Sequence, residues 1–176
     1  SRFMVVVEPS GREGQVGLLS RTLAAGQART ALTWGRTDVS LGLHLSGPLS
    51  ASDGGRGRYQ VHVEHPVHPV RGDLVAGIEY TQAGLETAVV YSLRTVGVYR
   101  VSAHILGWPE IAEEASFAAA GAQVQAWWPE GPAMALPTPG MPGNLWNAVE
   151  FDVEAGSSRN LQHYGLISDP FDIDAF

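Results

Sequence analysis

Apolar and polar residues alternate along most of this chain in short runs, each closed by Gly, Pro, Ser or Asp. A period of two puts successive side chains on opposite faces of a strand, one apolar and one polar. The runs predict strands at 3–8, 29–35, 39–46, 58–64, 73–80, 86–92, 96–106, 121–128 and 146–154. Short strands at this regular spacing point to an antiparallel sandwich or barrel rather than to alternating β and α units. The best helical candidate is Pro109–Ala119, where Pro109 suits a first turn and Glu110, Glu113 and Glu114 suit its positive end. Gly14–Leu23 is a weaker candidate.

Two segments read as connections. Ser50–Gly57 is a Gly- and Ser-rich hairpin-like loop. Pro129–Gly143 carries five prolines and cannot be a central strand, because each proline removes a ladder donor. The expected division is a β-sandwich domain over 1–156 and a C-terminal arm over 157–176. The arm ends in the acidic, aromatic SDPFDIDAF and packs on its own domain or on a partner.

Composition narrows the function. The 176 residues are 44 % hydrophobic, enough for one sizeable core. A net charge of −7, with eleven scattered arginines and no lysine, argues against nucleic acid, which wants a basic face. The absence of cysteine removes disulfides, thiolate metal sites and cysteine nucleophiles. It also fits an oxidising compartment. No run approaches the ~20 apolar residues of a membrane span. Phe3–Val7 is too short for a signal-peptide core, so a secreted chain would be a mature form.

Several motifs carry a resemblance. Leu32 and Trp34 form a Leu-x-Trp strand; His44, Leu45 and Pro48 follow in LGLHLSGP; Gly84–Thr87 reads GLET; Gly97 and Tyr99 form G-x-Y. With AQVQAWW and NLWNAVEFDV, these resemble bacterial YfaP-like β-sandwich domains over residues 28–154. The resemblance implies an immunoglobulin-like sandwich from the periplasm, cell envelope or secreted space. It implies binding or assembly rather than catalysis. The chain departs from the family pattern where two acidic positions become Ser40 and Gly42, and where an acidic pair is reduced to Glu79.

Three histidines share one feature. His44 alternates with Leu41, Leu43 and Leu45; His62 with Tyr59, Val61 and Val63; His104 with Tyr99, Val101, Ala103 and Ile105. Each ring is therefore expected on the solvent side of its strand. Immunoglobulin-like topology would make the three strands neighbours, ~4.8 Å apart, and line the rings up. The row is either a copper or zinc site, with His65 or His68 as a further ligand, or a polar sheet surface. Asp38 or Glu64 could orient a ring. As a copper site it would suit redox chemistry of the superoxide dismutase type.

Catalysis has little else to stand on. There is no G-x-S-x-G elbow, and Glu113–Glu114 reads as a solvated helix start. Asp169, Asp172 and Asp174 lack the glycine and the terminal glutamate of a calcium loop. Trp34 and Trp146 belong to the core pattern. Trp127 and Trp128 are adjacent, so one of them faces away from the core. Trp108, Trp127, Trp128, Phe171 and Phe176 are the candidate contacts for a protein partner or a second copy. The tryptophans also suit a carbohydrate. The sequence thus predicts an all-β immunoglobulin-like antiparallel sandwich. It acts as a non-enzymatic binding protein, with a histidine metal site as the alternative.

Overall fold

Eleven strands run through the described residues of a computed structural model, which are 23, 26–35, 39–50, 57–70, 73–82, 84–93, 95–106, 116–127, 134–140, 143–154 and 157–165. In order they are β1 (Ala28–Thr33), β2 (Leu41–Pro48), β3 (Arg58–Val61), β4 (Val67–Val70), β5 (Asp73–Gln82) and β6 (Leu85–Val90). They continue with β7 (Val98–Ile105), β8 (Gln123–Trp127), β9 (Met134–Leu136), β10 (Leu145–Asp152) and β11 (Ser157–Gly165). Six form a sheet in the order β4-β5-β6-β1-β8-β9, and five form a second in the order β11-β10-β7-β2-β3. Every pairing is antiparallel. The sheets pack face to face, so the protein is an all-β sandwich, and no helix occurs among the described residues.

The inner faces are the apolar halves of the alternating runs. Leu41, Leu43 and Leu45 of β2, Tyr59 and Val61 of β3, and Tyr99, Val101, Ala103 and Ile105 of β7 meet Leu32, Ile78, Ala88, Val90, Val124 and Ala126 of the facing sheet. Trp146 is fully buried, its ring edge-on to Phe117 with centroids 5.7 Å apart. In β10 the register slips between Asn147 and Val149. The extra residue lets Ala148 and Val149 both join the core and turns Asn147 and Glu150 to the opposite face.

Eight of the expected strands correspond to β1, β2, β3, β5, β6, β7, β8 and β10; the one at 3–8 lies outside the described residues. Three strands were hidden. β4 and β9 carry or adjoin prolines, and both lie at sheet edges, where a missing donor costs least. β11 takes up residues 157–165 of the expected arm and pairs with β10. Of the helical candidate, 109–115 lies outside the described residues. Its end is a turn closed by Ala122 N–H to Phe117 O and Gly121 N–H to Ala118 O. Gly121, at φ 66°, takes the left-handed position that closes such a turn.

Candidate functional site

The pairing of β3, β2 and β7 brings the three histidines together. Leu45 lies opposite Val61, which sets His62 beside His44, and Gly42 lies opposite His104, which sets that ring diagonally from His44. The His44 and His62 rings stack with centroids 5.3 Å apart and planes 17° from parallel. The His44 and His104 rings are 5.5 Å apart and 74° from parallel. His65 continues the line, 5.1 Å from His62. The result is a file of four imidazoles running from an exposed turn into the sheet.

The file lies on the face away from the core, as alternation requires, but this face is not open to solvent. His44 is 7 % exposed, His62 5 % and His104 6 %. The expectation of solvent-facing rings is corrected on this point. Burial disfavours the imidazolium form. It holds the His44 pKa down at about 3, helped by His104 and His62, and the His104 pKa at about 4. Burial, then His65, also lowers His62. The inner rings are therefore neutral at ordinary pH. The buried Nδ1 of His104 has no hydrogen-bond partner.

A file is not a cage. Strand spacing puts β3 and β7 about 9.6 Å apart across β2. Nitrogens sharing one tetrahedral zinc, each at ~2.0–2.1 Å, stand only about 3.4 Å from one another. Among the described residues, no group of three or more His, Asp or Glu side chains is placed to hold a metal ion. The three-ligand site expected for His44, His62 and His104, with or without His65, is thus not preformed.

The polar residues around the file bond to one another. Ser102 Oγ donates to Asn147 Oδ1 at 2.6 Å. Arg100 donates from Nε and Nη2 to Glu150 Oε1 at 3.0 and 2.7 Å. Arg58 donates to Ser46 Oγ at 2.8 Å and to the Val98 carbonyl at 2.9 Å. These contacts fix β3, β2, β7 and β10 side by side.

One ionisable residue escaped the sequence reading. Glu86 of β6 is 2 % exposed and shares the inward face with Ala88 and Val90. It crosses the sandwich to accept the N–H of Leu43. The reason lies in the β2 ladder. Leu106 N–H bonds Ser40 O, so the backbone groups of Ser40, Gly42 and His44 turn toward β7, and those of Leu43 turn toward β3. The β2–β3 ladder ends at Leu45–Val61, which leaves the Leu43 N–H without a strand partner. Glu86 fills the gap. Burial lifts its pKa to about 7, against a smaller opposing effect of the Leu43 bond.

Of the expected partner contacts, Trp127 is half-buried against Ala31 and Leu85 on the outer side of the six-stranded sheet. Trp108, Trp128, Phe171 and Phe176 lie outside the described residues. A different apolar feature is exposed. β3 stops at Val61, and His62 and His65 close a tight turn by exchanging N–H···O bonds of 3.1 and 3.0 Å. Val63, expected inward, is instead 50 % exposed on this turn, and Val67 beyond it is 53 % exposed. Comparison of the chain with family models, curated proteins and solved structures finds no match.

Proposed function

We propose that this chain is a non-enzymatic binding domain of the cell envelope or secreted space. It docks a protein partner on the corner between β3 and β4. The observation that supports this reading is the run Val63–Val67: five consecutive exposed residues with a valine at each end. The run is held rigid by the paired His62–His65 bonds and by Ile78 N–H to Pro66 O at 2.7 Å. Exposed apolar side chains on a hydrogen-bonded turn spend little ordering entropy when they enter a partner's pocket. The envelope setting rests on the absence of cysteine and on the YfaP-like motifs. No helix among the described residues is long and apolar enough to cross a membrane.

The test compares the full chain with a Val63→Ser/Val67→Ser variant. Light scattering on a sizing column reads self-association. Capture from envelope extract, rebuilt with the purified captured protein, reads a partner. The reading expects one of the two to be lost in the variant while the melting temperature stays unchanged. A parent protein that is monomeric and captures nothing the variant does not would sink it.

A further inference from the structure

We propose that His44 and His104 together bind one soft monovalent metal ion, Cu(I) in chemistry, as a two-coordinate bis-imidazole site. A metal–nitrogen bond of ~2 Å puts the ion about 3 Å from each ring centroid, so a linear site separates centroids by about 6 Å. The observed 5.5 Å is shorter than the linear value, as a bent two-coordinate site would give, and the two planes stand 74° apart. The His44–His62 pair differs. Its planes are nearly parallel, so its in-plane lone pairs lie side by side rather than facing each other.

The buried Nδ1 of His104, without a hydrogen-bond partner, is an independent observation. An unpaired buried nitrogen costs about 1–3 kcal/mol, and an ion supplies the missing partner. The surroundings then select the kind of ion. No third ligand stands ready among the described residues, which disfavours zinc and Cu(II). The nearby carboxylate of Glu150 is committed to Arg100, and Glu86 lies on the far side of β2. With no free counter-charge beside it among the described residues, a divalent ion pays a much larger desolvation cost than a monovalent one. Exposed His65, then His62, offers successive ligands along the way in from the surface.

The full chain is titrated without oxygen with Cu(I) held by a chromogenic chelator, and in parallel with Ag(I) as a redox-inert probe. Metal analysis after desalting is expected to give one equivalent, and the Cu(I) X-ray absorption edge the signature of two nitrogen ligands. Binding is expected to vanish in His44→Gln and in His104→Gln and to persist in His65→Gln with slower loading. Binding in the His44→Gln/His104→Gln double variant equal to that of the parent would overturn the assignment, as would displacement of Cu(I) by equimolar Zn(II). Should the glutamine variants not fold, side-chain nitrogen NMR of the parent decides the matter. Ag(I) is expected to shift one ring nitrogen of His44 and Nδ1 of His104, and unmoved resonances would refute the site.

Discussion

Glu86 makes the stability of this sandwich depend on pH in a way that one substitution isolates. Its carboxyl has an ordinary pKa of 4.5 in an unfolded chain and about 7 in the folded protein. A raised carboxyl pKa means that the folded state keeps its proton while the unfolded state loses it. The stabilisation belonging to the neutral acid is therefore complete below the unfolded value and drains away as pH rises toward 7. At about 1.4 kcal/mol per pH unit, the interval between the two values amounts to about 3 kcal/mol. That is a large part of the 5–15 kcal/mol, roughly, that stabilises a domain.

In Glu86→Gln the carboxamide oxygen still accepts the Leu43 N–H, and nothing ionises. The variant and the parent should differ by a constant amount near pH 4. Between about pH 5 and about pH 7.5 the variant should gain on the parent by up to about 3 kcal/mol. His44 and His104 have the opposite effect, because folded rings that resist protonation lose stability as pH falls below the ordinary histidine value of 6.5. Their contribution is the same in both proteins and cancels in the difference. Urea unfolding followed by tryptophan fluorescence at a series of pH values measures it. Parallel stability–pH curves for the two proteins would show that Glu86 is already ionised in the fold, and the argument from burial would fail.

Three further outcomes follow from the packing. Gly47→Ala places a methyl 2.5 Å from the Tyr59 hydroxyl and 2.6 Å from its ring, so the buried tyrosine must shift; a loss of about 1–3 kcal/mol by urea titration is expected. Arg100→Leu leaves the 4 %-exposed Glu150 side chain without its guanidinium and should cost about 3 kcal/mol at neutral pH. Adding Glu150→Gln to it should restore much of that loss, and a double-mutant cycle with no coupling would contradict the pairing. Trp146→Ala should cost about 3–5 kcal/mol, visible as a lowered melting temperature, because the ring fills the interior against Phe117.

Alternation told which side of a strand each residue occupies, and that much was legible for β2 and β7 throughout. It says nothing about what lies over that side. His44 and His104 were placed away from the core, yet both are buried, because the period of a strand carries no information about what covers its outer face. Alternation also runs on unbroken where the backbone does not. Val61-His62-Val63 keeps the strand pattern, but the chain turns after Val61, and the outward Val63 follows from that turn. In β10 the reverse holds: the doubled apolar step Ala148–Val149 was a readable sign of the register slip. Glu86 was the most readable of the missed residues, because it has the inward parity of Ala88 and Val90 in a run that is otherwise apolar on that face. A carboxyl at such a position must cross to an acceptor-starved backbone group or destroy the strand. The group it reaches belongs to Leu43, one residue before His44. The acid that ties the sheets together and the histidine at the centre of the file therefore sit on opposite faces of one stretch of β2. Any change that repacks one face should be felt on the other.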